Sequence, residues 1–300
     1  MGMPILILGE SGTGKTTSLR NFKEGEIAIV NVTGKPLPFR GSFEMLKNTT
    51  DAQEIMRFMR GTKAKVIVID DCQYIMSFQY MRRIKENGWD KFNELQSDFF
   101  NIIDAVPGLP DDVVVYFLSH LETKDDGRQK IKTIGKMLDE KITIEGMFTT
   151  VLKTYVADGK YYFLTQNSGN DTVKSPLGMF SDLAIDNDLK YVDEKIRNYY
   201  RLGEYISDEE MEKADQEAAR PEVADNATQG RSRRRARRGA AEEPKAEPEN
   251  SIPWELPKNP VAVMDGDDEA PEAPETEVTE ETTEKPVEGE RKRRTRRVRE

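Results

Sequence analysis

The sequence predicts an α/β domain: a mostly parallel sheet with helices on both faces, closed by a C-terminal hairpin and followed by a disordered tail. Three observations predict it. Short apolar runs alternate with stretches of helical period along residues 1–206. The first of these runs leads straight into a glycine-rich loop, and composition changes abruptly near residue 207.

The first run, Met3-Pro4-Ile5-Leu6-Ile7-Leu8, is almost wholly apolar, as a central strand buried on both faces requires. It breaks into Gly9-Glu10-Ser11-Gly12-Thr13-Gly14-Lys15-Thr16-Thr17, which fits G-x-x-x-x-G-K-[ST] at every fixed position. Glycines let the backbone wrap an anion with its N–H groups turned inward. A helix expected over 15–22 would add its positive end to the phosphate site. Lys15 is placed to reach the β/γ-phosphates and Thr16 to offer its hydroxyl to Mg²⁺. A chance glycine-rich turn is the alternative. The strand before the loop and the helical stretch after it favour a P-loop NTPase site for ATP and Mg²⁺.

The remaining elements follow in order. Glu26–Val32 reads as a second strand, and Gly34–Arg40 is irregular because two prolines and a glycine punctuate it. Residues 51–60 form a short helix on Ile55, Met56 and Met59. Lys65–Asp71 is a β-branched strand ending in two acids, residues 72–106 are helical with a break at Asn87-Gly88, and Asp112–His120 is a fourth strand. Residues 122–136 read as a mobile, basic loop. Phe148–Val156 and Tyr161–Gln166 flank Asp158-Gly159, a strong hairpin signal. A last amphipathic helix is expected over 188–201. One domain spanning 1–206 is the expectation, with a mixed-charge tail over 207–300.

Charge bears on partners. The formal net charge is −10, of which about −2 belongs to residues 1–206 and about −8 to the tail, so the acidity does not argue against a core that binds nucleic acid. Cys72 is the only cysteine, which excludes an internal disulfide. No apolar run is long enough to span a bilayer, and no leader segment is expected ahead of the first strand. A soluble cytoplasmic protein without membrane contact is expected.

Several polar positions at strand ends carry chemistry. Asp70 stands where a P-loop ATPase places the carboxylate that holds Mg²⁺, and a plain turn residue is the alternative. Asp71 is a candidate base for orienting the attacking water, or a helix cap for the segment beginning at Cys72. His120, the only histidine, ends the next strand and is a candidate γ-phosphate sensor, against an incidental histidine. Downstream, Lys124, Arg128, Lys130, Lys132 and Lys136 could form a DNA-contacting loop under ATP control, or simply a solvated connection. Tyr74, Phe78, Tyr80 and Trp89 suit helix packing better than base stacking. One histidine and one cysteine are too few for a metal site built on them.

GESGTGKTT, VIVIDD, VVVYFLSH and YYFLTQNSGNDTVKSPLGMF, in that order, resemble the phage-encoded RecA-like P-loop ATPases, the phage nucleotide-binding proteins. Some of these are ATP-dependent single-strand annealing proteins. The resemblance covers about residues 3–203. It implies a RecA-like sheet, a homo-oligomer in the bacterial host cytoplasm, single-stranded DNA as partner, and a role for Lys174 at the neighbouring subunit's γ-phosphate; a turn lysine is the alternative. One departure stands out. RecA-type enzymes generally carry a catalytic glutamate just after the second strand, whereas Asn31-Val32-Thr33-Gly34-Lys35 holds no acid. Either Asp71 or Glu10 substitutes, or ATP serves chiefly as a binding switch.

The tail carries two basic clusters, 231–238 and 291–299, and an apolar island, Ile252–Pro257. Basic arms raise affinity for any phosphate backbone. The island is either a docking motif for a single-strand-binding, replication or recombination protein, or a spacer. Two functions follow as expectations: a slow ATPase acting on single-stranded DNA, or a nucleotide-dependent loader or adaptor for a replication protein such as a helicase.

Overall fold

The computed structural model describes residues 1–218. The basic clusters 231–238 and 291–299 and the island 252–257 lie outside the described residues.

The glycine-rich loop follows β1 (Met3–Leu8) and runs into a six-residue 3-10 helix, Thr16–Asn21. The expected α-helix over 15–22 is thus replaced by a tighter turn. Two adjacent threonines disfavour α geometry, and the Ser18 hydroxyl turns back to donate to the Lys15 carbonyl at 2.6 Å. Next come β2 (Ile27–Asn31), β3 (Glu44–Lys47), α1 (Ala52–Gly61), β4 (Val66–Asp70), α2 (Gln73–Arg82), α3 (Asp90–Asp104) and β5 (Val114–Ser119). A small hairpin, β6 (Leu121–Thr123) and β7 (Gln129–Ile131), precedes the main hairpin, β8 (Thr150–Ala157) and β9 (Lys160–Leu164). β10 (Ala184–Asp186), α4 (Leu189–Tyr200) and α5 (Asp208–Ala218) complete the described chain. No helix among the described residues is long and apolar enough to cross a membrane.

The main sheet is RecA-like, with strand order β3-β2-β4-β5-β1-β8-β9-β10. Pairing is parallel from β3 through β8 and antiparallel from β8 to β10. The central strands β2, β4 and β5 are buried at every residue, as their apolar runs predict. Strand alternation then divides the core in two. Leu6, Leu8, Ile67, Ile69, Val115 and Phe117 face α1, α2 and α3, while Ile5, Ile7, Val66, Val68, Val114 and Tyr116 face the 3-10 turn and α4. Fully burying one such side chain contributes about 1.5–3 kcal/mol. α4 is also fixed by polar contacts: the buried Tyr116 hydroxyl donates to Asp193 at 2.9 Å, and Arg197 donates to the same carboxylate and to the carbonyls of Asp112 and Lys65.

The turn of the main hairpin has φ of 50° at Asp158 and 73° at Gly159, the two left-handed residues of a type I′ turn. Residues 122–136 differ from the expected mobile loop. Lys124 and Arg128 are joined across an Asp125-Asp126-Gly127 turn, and Ile131 is buried with its N–H donating to the Glu145 carboxylate at 2.9 Å. The helix α5 lies beyond the expected domain boundary at 206. Ser207 and Glu210 form a reciprocal capping box, Met211 is buried, and the Tyr191 hydroxyl of α4 donates to Asp215 at 2.8 Å.

Candidate functional site

The carboxyl ends of β1, β2, β4 and β5 bring the motif residues to one edge of the sheet, as parallel pairing dictates. There a cavity of about 290 Å³ is lined by Ser11, Gly12, Gly14, Lys15, Thr16 and Thr17 from the loop, by Thr33, Lys35, Pro36 and Pro38 after β2, and by Asp70, Asp71, Tyr74 and His120. A larger cavity of about 790 Å³, lined by Val66, Asp112, Lys190 and Arg197 among others, carries none of the motif residues. The chemistry argues for the smaller one.

Sequence explains how the loop is held. The Gly9 N–H donates to the Ser119 carbonyl at 3.1 Å, tying the loop to β5. A Cβ at Gly9 would overlap the Thr154 and Thr13 hydroxyls, which hydrogen-bond each other at 2.6 Å. Gly14 has φ of +95°, and a side chain there would press on Tyr161 and Asn187. Lys15 lies back across the loop, its ammonium donating to the Gly9 carbonyl at 2.9 Å and the Glu10 carbonyl at 2.8 Å. Burial pulls that ammonium below the usual lysine range, against the attraction of Asp71 and Asp70. Glu10, Ser11 and Gly12 form the rim of the loop.

Thr16 donates its hydroxyl to the Asp70 carboxylate at 2.9 Å. These two hard oxygen donors fit Mg²⁺, which takes one or two protein ligands and fills its remaining positions with water and phosphate oxygens. Burial, and then the charge of Asp71, push the Asp70 carboxyl up to about 6, against the Thr16 hydrogen bond and Lys15. Such a carboxylate is short of positive charge.

Asp71 is the opposite case. Burial would raise it too, but the His120 hydrogen bond and the charges of His120, Lys15 and Lys35 bring it below the usual carboxylate range. His120 Nε2 lies 3.3 Å from Asp71 Oδ1, and Lys35 Nζ lies 3.9 Å from Oδ2. The expected alternative for Asp71, a cap for the following helix, is not realised. Cys72 occupies the cap position without a side-chain bond, and Asp71, at φ of +57°, turns its carboxylate to His120, just after β5, and toward Lys35 in the loop after β2.

Gln73 is a site residue that sequence reasoning missed. It is buried, and its side-chain oxygen accepts from the His120 N–H at 3.1 Å and lies 3.4 Å from the Ser119 hydroxyl. A glutamine just beyond the two acids, at the start of an otherwise apolar helix face, was the available signal. A second unforeseen residue is Asn187, 2% exposed, with neither amide atom paired among the described residues. It borders a cleft of about 400 Å³ with Thr17, Arg20, Lys160 and Tyr161, and Thr17 lines both this cleft and the main cavity.

The other expected positions do not join the cavity. Lys174 forms a backbone bridge with Val151 on β8. Of the basic loop, Arg128 pairs with Asp126 at 2.9 Å and Lys130 with Glu122 at 3.2 Å, while Lys136 precedes a π-helical turn. Lys124 lies in the hairpin turn, and the Lys132 N–H donates to the His120 carbonyl at 3.0 Å. Tyr74 stacks on Phe78 and sets its edge near His120, whereas Trp89 packs on Phe92 yet stays largely exposed.

Residues 1–177, more than half of the chain, match the family described as AAA domain (AAA_24). Among solved structures, the chain is similar to the KaiC-like protein PH0186 from the hyperthermophilic archaeon Pyrococcus horikoshii OT3, at 15% identity and a TM-score of 0.31, over 54% of this chain and 77% of that one. No match was found among curated proteins.

Proposed function

The chain belongs to the AAA domain family, and on that premise we propose that it binds ATP with Mg²⁺, hydrolyses it slowly, and acts on single-stranded DNA in phage recombination or replication. The P-loop NTPase class is plain from the fold and family. The observation that supports Mg²⁺-ATP is the convergence of Lys15, Thr16 and Asp70 on one cavity. When bound, Mg²⁺ would be held by Thr16 and Asp70 and would neutralise phosphate charge. The chain's own residues do the rest. Lys15 leaves the loop carbonyls for phosphate, and the inward N–H groups take the remaining oxygens. Asp71, ionised and held by His120, is the group placed to orient a water. It is one methylene shorter than the glutamate of many such enzymes, which supports slow turnover. The cleft beside Thr17 has room for the remainder of the nucleotide.

The DNA reading draws support from one contact. His120 faces Asp71 with its ring and holds the β6–β7 hairpin with its carbonyl, through the Lys132 N–H. Loss of the terminal phosphate would therefore be felt at a segment carrying Lys124, Arg128, Lys130, Lys132 and Lys136. A homo-oligomer in which Lys174 reaches a neighbour's site belongs to the same reading.

The test is single-stranded DNA affinity across a salt series, with and without ATP, for the full chain and a Lys130→Ala/Lys132→Ala variant. The wild type should bind more tightly with ATP. The variant should lose that ATP-dependent part, and its salt dependence should flatten by a slope of about 0.7 for each phosphate it no longer neutralises. An unchanged ATP response in the variant would move the loader or adaptor reading ahead. The pairing of Lys130 and Arg128 with Glu122 and Asp126, which lowers the charge the hairpin can offer DNA, is the observation in its favour.

A further inference from the structure

We infer that Lys35 is a γ-phosphate ligand, carried by the loop after β2, and that it exchanges Asp71 for the terminal phosphate when a nucleoside triphosphate binds. This rests on the nucleotide reading of the cavity and names a residue that distinguishes triphosphate from diphosphate.

The strand register delivers the loop to the site. Asn31 at the end of β2 is paired with Asp70 at the end of β4, so whatever follows β2 lies beside Asp71. The loop is also pinned there. Asn31 is 2% exposed, and its side chain grips the backbone at two points: Nδ2 donates to the Lys35 carbonyl at 2.7 Å, and Oδ1 accepts from the Gly34 N–H at 2.8 Å. Pro36 and Pro38, which line the same cavity, fix the backbone beyond it. The buried amide thus fixes the backbone at Gly34 and at Lys35, which sets where the lysine side chain starts.

The lysine's head, by contrast, is loosely held. Its ammonium lies 3.9 Å from Asp71, beyond hydrogen-bond reach, and 5.5 Å above the Tyr74 ring, with the side chain 67% exposed. Asp71 already has a closer partner in His120 at 3.3 Å. An incoming phosphoryl group carries more charge than one carboxylate and offers several acceptor oxygens, so it outcompetes Asp71 for Lys35 while His120 keeps Asp71 paired. The cavity holds Lys15 and Lys35 against Asp70 and Asp71. Without Lys35, Lys15 would be the only lysine lining the cavity to meet the phosphates beside Mg²⁺. The position where an acid is expected for hydrolysis therefore carries a cation suited to retention, which fits ATP used as a binding switch.

The experiment is calorimetric titration of the full-length protein with ATP, a non-hydrolysable triphosphate and ADP, in Mg²⁺, for wild type, Lys35→Ala and Lys35→Arg. The alanine variant should bind both triphosphates about tenfold more weakly and ADP within about twofold of wild type, and arginine should restore most of the loss. If the triphosphates and ADP weaken together, Lys35 only supports the loop and the inference falls. It falls equally if Lys35→Ala binds triphosphate like a wild type that itself binds well. A wild type that binds no nucleotide overturns the reading of the cavity and this inference with it.

Discussion

Lys15→Ala should abolish detectable ATP binding. A charge-assisted hydrogen bond contributes about 1.5–3 kcal/mol, and a lysine shared by two phosphates loses two of them, so affinity should fall at least ~100-fold. The fold should survive. The Lys15 ammonium is bound to two loop carbonyls, and burial works against its charge. Glu10 is an exposed residue of the loop rim, so water can take the lysine's place at its carbonyl. Calorimetry of the variant, with a thermal melt to show that it is folded, gives the check. A folded Lys15→Ala protein with wild-type affinity would remove the phosphate-loop assignment altogether.

The sheet and the phosphate loop were legible because their signals are local. A buried parallel strand needs an unbroken apolar run, and β1, β4 and β5 have one; an anion-wrapping loop needs its glycines at fixed spacing, and this one has them. Short edge strands were not legible. β3 has four residues, only half-buried at its centre, and β10 has three, so neither shows a pattern that exceeds its surroundings. The small hairpin β6–β7 was hidden by charge: Glu122 and Lys130 read as loop residues, yet they lie opposite each other and pair. α5 was missed for a similar reason, since an acidic helix looks like an acidic tail until its capping box is noticed. In the site, Asp70 and Asp71 could be named from their strand end. What they do apart came only from their neighbours, because the partners of Asp71 arrive from the residue after β5 and from the loop after β2. Asn31, Gln73 and Asn187 are buried amides whose partners, or lack of them, depend on tertiary packing. No spacing rule announces such residues.

Asp70→Asn should make the protein more stable in EDTA at neutral pH and, at the same time, remove the benefit of Mg²⁺ to ATP binding. The sign follows from the raised carboxyl. An unfolded Asp70 loses its proton near 3.8, while the folded one keeps it up to about 6. Between those values the folded state binds more protons, so stability falls as pH rises through that window and is level above it. A shift of about two units, at about 1.36 kcal/mol each, places the cost of the buried charge at about 3 kcal/mol above pH 6. Asparagine carries no such charge, and its side-chain oxygen can still accept from Thr16. In EDTA at pH 7 the variant should therefore melt several degrees above wild type, at about 2–4 °C per kcal/mol for a domain of this size. The advantage should vanish below about pH 4. Mg²⁺ reverses the order, because it supplies the positive charge that Asp70 lacks. Mg²⁺ and the proton compete for the same carboxylate, so Mg²⁺-dependent ATP affinity in the wild type should decline as pH drops below about 6. The variant should bind ATP weakly and equally with Mg²⁺ or EDTA at every pH. ATP titrations from about pH 5 to 8 in both conditions, paired with melts in EDTA, separate the two effects. An Asp70→Asn variant that is less stable than wild type in EDTA and still responds to Mg²⁺ would show that Asp70 is a fold-holding turn residue and that the metal is held elsewhere.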